Sequence, residues 1–118
     1  MKTIVISGAC SGVGKTTLAL DICRLIPGAQ AVKIGHGRQK AGKTSAFYRI
    51  GTSFGVIKAR HAGAEALVIE SNTVLLELKP DLLIYLGGPE AKPSARLPAK
   101  TADIRSGARI SARRLAGL

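Results

Sequence analysis

Two short stretches of this chain carry residue types that could do chemistry: a glycine-spaced run at 8–17 and a lone glutamate at 70. Gly12 and Gly14 allow a backbone to curl until successive N–H groups converge on an anion. Lys15 follows as a flexible cation, then the hydroxyls of Thr16 and Thr17, and apolar residues at helical spacing begin at once. A β-branched run at 3–6 comes immediately before. Strand, glycine turn, lysine, hydroxyl and helix, in that order, have the spacing of a phosphate-binding loop. Ala9 stands where a glycine usually opens that turn, with Gly8 one place early. The expected phosphate contacts are Ala9, Cys10, Ser11, Gly12, Val13, Gly14, Lys15, Thr16 and Thr17. Lys15 would bridge the outer phosphates, Thr16 would ligate Mg²⁺, and the helix N-terminus would add its dipole. The bland alternative, a glycine turn capping an ordinary helix, does not call for a lysine and a hydroxyl at those two places.

A phosphate loop needs a carboxylate for the metal's water shell, at the end of a buried strand. Between Asp21 and Asp81 the chain holds only Glu65, Glu70 and Glu77, and only Glu70 directly follows an apolar run. Glu70 is therefore the candidate second metal ligand beside Thr16, and with Lys15 it forms the expected catalytic pair; otherwise it is a solvated carboxylate at a strand end. Ser71 and Asn72 either orient water or substrate or cap the next helix. Lys33 and His36 lie on either side of the second strand's expected exit, and both are read as ligand contacts. His36 could bind phosphate or transfer a proton, or be a solvated loop histidine. Arg38, Lys40 and Lys43 extend the same basic, glycine-rich stretch, with Thr44 as a weaker metal candidate. Gly42, Lys43 and Thr44 repeat the loop tripeptide without a preceding strand and are read as a decoy. His61, near an expected helix end, reads as structural.

These groups need a frame to hold them. Hydrophobic periodicity gives strands at 3–6, 31–34, 66–69 and 81–86, a short strand or turn at 47–50, and an edge strand at 102–105. Helices are expected at 15–26, where Leu18, Ala19, Ile22, Leu25 and Ile26 share a face, from Thr52 or Ser53 onward, at 73–79, and at 111–118. Residues 88–100, with three prolines, read as a loop. Alternating strands and helices give an α/β domain with a small, mostly parallel sheet and a right-handed crossover after the first strand. The 118 residues are read as a single domain, 1–118.

Composition narrows the partners. Eighteen Lys and Arg against seven Asp and Glu give a net charge of +11, which favours polyanions. Residues 91–118 are strongly basic but hold no aromatic for base stacking, so nucleic acid is not the expected ligand. No apolar run approaches the roughly 18 residues of a membrane span, and two cysteines fit a reducing compartment. The chain is read as cytoplasmic, without a membrane partner. Cys10 is a small filler in the loop or a thiol activated by the helix N-terminus; Cys23 is core.

Taken together, the loop from Gly12 to Thr17, the strand ending at Lys33, Ile34, Gly35 and His36, and the later Leu67, Val68, Ile69 and Glu70 resemble the SIMIBI class of P-loop GTPases and ATPases. Within that class the pattern is most similar to the molybdopterin-guanine dinucleotide biosynthesis protein B (MobB) group. The similarity covers residues 3–87, with the phosphate loop as its specific part. It implies a three-layer P-loop NTPase-like fold, Mg²⁺ and GTP or ATP as bound nucleotide, and slow hydrolysis. It also implies a homodimer and an accessory role in molybdenum-cofactor or metalloenzyme maturation, with a molybdopterin-type cofactor or its biosynthetic enzyme as partner. Cys10 stands where the deviant members of the class carry a signature lysine, which argues against that branch. Residues 99–103 lack the Asn of a guanine-reading Asn-Lys-x-Asp, leaving GTP and ATP both open. A small-molecule kinase built on the same loop and a basic nucleic-acid-binding module are the two rival readings.

Overall fold

Apolar β-branched runs punctuated by Gly, Pro and Asp become the strands of one parallel sheet. A computed structural model describes residues 1–9, 14–36, 46–88 and 93–105. The chain runs β1 (Lys2–Gly8), α1 (Lys15–Leu25), β2 (Ala29–Gly35), β3 (Ala46–Arg49), α2 (Phe54–Arg60) and β4 (Ala66–Glu70). A 3-10 turn (Val74–Leu76), β5 (Leu82–Leu86), a second 3-10 turn (Pro93–Ala95), α3 (Arg96–Thr101) and the two-residue β6 (Ile104–Arg105) follow. Strand order is β3-β2-β4-β1-β5-β6, and every pairing is parallel. The chain leaves β1 towards β2 and leaves β5 towards β6. Their carboxyl ends thus flank the point where connections diverge, the usual crevice of an open α/β sheet.

Strand alternation divides the core in two. Ile4, Ile6, Val68, Leu82 and Ile84 face α1 and meet Ala19 and Ile22. Val5, Leu67, Ile69 and Leu83 face the other way and meet Ile57 of α2 and Val74. Helical structure therefore covers both faces, and β1 and β4 are buried along nearly their whole length, as a sheet covered on both faces requires. Among the described residues no helix is long and apolar enough to cross a membrane.

Register is pinned by polar residues that stand just before strands. Asp81 donates its N–H to the Thr3 carbonyl at 2.9 Å and accepts the Thr3 N–H on Oδ2 at 2.8 Å. Asp103 repeats the device on β5, donating to the Leu83 carbonyl at 2.9 Å and accepting the Leu83 N–H at 2.8 Å. Each aspartate offers its neighbour one acceptor and one donor, as a ladder peptide would, and so sets where the next strand begins. His61 closes the far edge. Its Nδ1 lies 2.6 Å from Gln30 Oε1 and its Nε2 2.8 Å from the Tyr48 hydroxyl, linking α2 to β2 and β3. The structural reading of His61 holds.

Several expected elements differ. Residues 88–100 do not form one loop: α3 begins at Arg96, because Pro98 occupies the first helical turn, where its missing N–H has no partner to lose. The helix expected at 73–79 is only the 3-10 turn Val74–Leu76, and β5 starts at Leu82 because Asp81 is spent on Thr3. Leu25 is 47% exposed, since it sits at the margin of the stripe that Ala19 and Ile22 bury. Ser53 caps α2 as expected, its Oγ accepting the Val56 N–H at 3.3 Å. The basic helix expected at 111–118 lies outside the described residues.

Gly28, between α1 and β2, has φ +78°, a left-handed conformation that an L side chain resists. A Cβ there would also fall 2.6 Å from the Glu65 Cγ, although that exposed side chain can swing aside. Gly28→Ala is therefore expected to lower stability by about 1–2 kcal/mol, mostly through the backbone. Denaturant titration against wild type measures it, and a stability gain would refute the assignment.

Candidate functional site

The site starts where β1 ends. Gly14 closes the loop region with φ +97° and forms the N-cap of α1, with no side chain within 4 Å of where a Cβ would stand. Glycine is needed here for the backbone alone. Among the described residues no side chain caps α1 and its own first turn holds no acidic residue, so the partial positive charge of its N-terminal N–H groups stands at this edge. Lys15 and Thr16 are half-buried in that turn, and Thr17 is exposed. Ala9 is buried and donates its N–H to the Leu86 carbonyl at 2.9 Å. Cys10, Ser11, Gly12 and Val13, expected to line the loop, lie outside the described residues.

One pairing brings the two expected metal ligands together. The Thr16 hydroxyl donates to Glu70 Oε1 at 2.7 Å, across 54 positions of sequence. Glu70 is only 2% exposed, and its second oxygen, Oε2, is buried with no hydrogen-bond partner among the described residues. A buried carboxyl oxygen left unsatisfied costs on the order of 1–3 kcal/mol, so such an atom calls for an explanation. Because Thr16 spends its only proton on Glu70, both hydroxyl lone pairs stay available to a cation. Among the described residues no group of three or more His, Cys, Asp or Glu could hold a metal alone. A hydroxyl, a carboxylate and phosphate oxygens are instead the donor set that suits Mg²⁺.

Lys33 is the register partner of Glu70 on the adjacent β2, and it is half-buried. The two share the α1 face of the sheet, and Lys33 runs up its strand, its Cε 3.9 Å from where a Cβ at Gly35 would stand. The ammonium is thus directed towards the carboxyl edge, and the described residues show no ion pair between it and Glu70. His36 is exposed just past the end of β2, two strands from β1 and so roughly 10 Å away across the sheet. Lys15, Thr16, Lys33 and Glu70 gather near one edge, whereas His36 stands apart. Arg38, Lys40, Lys43 and Thr44 lie outside the described residues.

Sequence reasoning left the roles of Ser71 and Asn72 divided, and the structure separates them. Ser71 is a cap: its Oγ accepts the N–H groups of Thr73 and Val74, each at 3.1 Å. Asn72 turns back to Gly8. Ser7, fully buried, donates its hydroxyl to the Ser71 carbonyl at 2.7 Å and ties β1 to the exit of β4. No local pattern signals these bonds, because their partners lie 64 positions apart. Asp103, the acid nearest in place to a guanine-reading motif, has its carboxylate on the Leu83 N–H at the amino end of β5, away from the loop. Cys23 packs against the α1-side core as expected, and burial raises its thiol above the usual range.

No protein-family model matches this chain, and no curated protein or solved structure matches it either.

Proposed function

We propose that the chain is a P-loop nucleotide-binding protein, taking GTP or ATP with Mg²⁺ and hydrolysing it slowly. The observation that carries this reading is the 2.7 Å bond from Thr16 to a buried Glu70 whose other oxygen has no partner among the described residues. It joins a hydroxyl from the turn after the glycine loop to a carboxylate from the neighbouring strand. Both lie at the carboxyl edge of β1, where a parallel α/β sheet presents its ligand. Lys15 would neutralise the outer phosphates, Lys33 would supply a second cation from β2, and the uncapped start of α1 would hold the inner ones. Thr16 and Glu70 would hold Mg²⁺, which when bound offsets charge on the phosphate oxygens. Catalysis then rests on positioning and charge neutralisation, with little covalent work for the protein.

The resemblance to the molybdopterin-guanine dinucleotide biosynthesis protein B group extends the proposal to an accessory role in molybdenum-cofactor or metalloenzyme maturation. The nucleotide step is the part that can be tested with the chain alone. Wild type is expected to bind GTP or ATP in the presence of Mg²⁺, and Lys15→Ala to bind it about 10- to 100-fold more weakly, as befits lost charge-assisted bonds. Calorimetric titration measures this, and equal binding by the two proteins refutes the site. Scoring product in the same samples separates free phosphate from a phosphorylated small-molecule acceptor, the kinase outcome.

A further inference from the structure

At the carboxyl edge of the sheet, one side chain does the work of a missing strand. β1 and β4 pair from Lys2 with Ala66 up to Ile6 with Glu70, and the Ser71 N–H adds a last bond to the Ile6 carbonyl at 3.0 Å. Beyond that point the β4 chain turns away, because Ser71 is drawn into capping the 3-10 turn. Gly8 lies two residues past Ile6, so its N–H and C=O point to the same vacated side. Ala9, the next residue, faces β5 instead, as its bond to Leu86 requires. Asn72 occupies the gap. Its Oδ1 accepts the Gly8 N–H at 3.0 Å, and its Nδ2 donates to the Gly8 carbonyl at 3.0 Å. A carboxamide presents the same acceptor and donor as a peptide group, so the ladder continues for one more step in side-chain atoms. The second Nδ2 proton goes to Ser94 Oγ at 3.2 Å, in the 3-10 turn that follows β5.

We infer that Asn72 is a positioning residue for the nucleotide: it fixes the Gly8 peptide from which the phosphate loop departs, and it ties that root to the segment after β5. The inference rests on the nucleotide reading above and adds a residue to it. Loop geometry depends on both ends being held. The far end is held by Gly14 and α1, and the near end by Asn72 on one side and Leu86 on the other. Asn alone suits this place. Asp has the length but no donor for the Gly8 carbonyl, and it adds a negative charge beside a loop meant for phosphate. Gln is one carbon too long to pair with both groups of a single residue.

The test compares Mg²⁺-nucleotide affinity in wild type, Lys15→Ala, Asn72→Ala, Asn72→Asp and Ser94→Ala, with GTP and ATP as probes. In nucleotide-free protein, amide hydrogen exchange is read at Gly8 and at the central strand residues Val5 and Ile69. Asn72→Ala, which loses both Gly8 hydrogen bonds, and Asn72→Asp, which loses one and adds a negative charge, are each expected to bind about 10- to 100-fold more weakly. Gly8 is expected to exchange faster, with Val5 and Ile69 still protected, a pattern that general loosening of the fold would not give. Ser94→Ala is expected to stay within about threefold of wild type, because the Gly8 pairing is intact. Wild-type affinity in a folded Asn72→Ala, while Lys15→Ala has lost it, overturns the inference and leaves the nucleotide reading standing. Loss in Ser94→Ala equal to that in Asn72→Ala moves the effect to the 93–95 turn and overturns it too. If wild type binds neither nucleotide, the nucleotide reading fails and takes the inference with it. If Asn72→Ala does not fold, Asn72→Asp, which keeps the bond from the Gly8 N–H, decides in its place.

Discussion

Glu70→Gln is expected to fold normally and to lose the Mg²⁺ dependence of nucleotide binding. The amide has the shape of the carboxyl and can still accept the Thr16 hydroxyl proton, so the pairing across β4 and α1 survives. What changes is the other oxygen. Oε2, buried and without a partner among the described residues, becomes an NH₂ group or a neutral carbonyl, neither of which can hold a hydrated divalent cation as a carboxylate does. The gain in affinity expected of wild type in millimolar Mg²⁺ should shrink by about 10- to 100-fold, the usual effect of disturbing a metal's outer shell. Hydrolysis, which depends on the same charge neutralisation, should fall by about 100-fold. Titration with and without EDTA reads the first effect and phosphate release the second. An unchanged Mg²⁺ increment would show that Glu70 is not a metal partner.

The same residue makes a prediction of opposite sign for stability. Glu70→Leu removes a buried polar group that lacks one partner among the described residues and adds apolar surface beside Ile6 and Val68, which share its face. The nucleotide-free protein should gain about 1–2 kcal/mol, because relief of the unsatisfied oxygen outweighs the loss of a partner for a half-buried threonine. A residue whose removal stabilises the fold and destroys its function is held in place by the function. A loss of stability in Glu70→Leu would instead make Glu70 part of the scaffold.

How far these sites were legible in sequence depends on how local their causes are. Runs at 3–6, 66–69 and 81–86 are β-branched or leucine-rich and bounded by turn residues, so the strands could be read directly. Glu70 could be found by elimination, because few acids exist in the chain and only one follows a buried run. The placement of β4 between β1 and β2 could not be read, because strand order is decided by packing between distant segments. That placement is what brings Glu70 within reach of Thr16. Asn72 was visible as a polar residue after a strand, but its partner is Gly8, 64 positions earlier, and no periodicity encodes the pairing. α3 was hidden by its own proline, since Pro98 reads as a loop signal unless the helix start is already known. The sequence puts Asp81 and Asp103 inside strands, at 81–86 and 102–105, yet each stands just before its strand and spends its carboxylate on a neighbouring strand's N–H.

Ile6→Ala is expected to be the most damaging single change to the scaffold, costing about 3–4 kcal/mol. Ile6 is fully buried in the central strand and packs in the cluster that contains Ala19, Ile22 and Ile84, with α1 closing one side. Truncating an isoleucine in such a place removes transfer energy and leaves a cavity that a parallel sheet under a helix cannot collapse to fill. Leu76→Ala is the control: at 80% exposure it should change stability by no more than about 0.5 kcal/mol. Urea titration of both variants measures the contrast, and a cost below about 1.5 kcal/mol for Ile6→Ala would mean that β1 is not the centre of the core. The cavity also opens beside the site, because Ile6 is the register partner of Glu70 and its carbonyl holds Ser71. Ile6→Ala should therefore weaken nucleotide binding as well. Nucleotide at about 100 times its dissociation constant should in turn restore about 2.7 kcal/mol of the loss. That rescue links the core to the loop: it requires a ligand that binds the folded state, and at the same nucleotide concentration it shrinks to about 0.4–1.4 kcal/mol in the double variant that also carries Lys15→Ala.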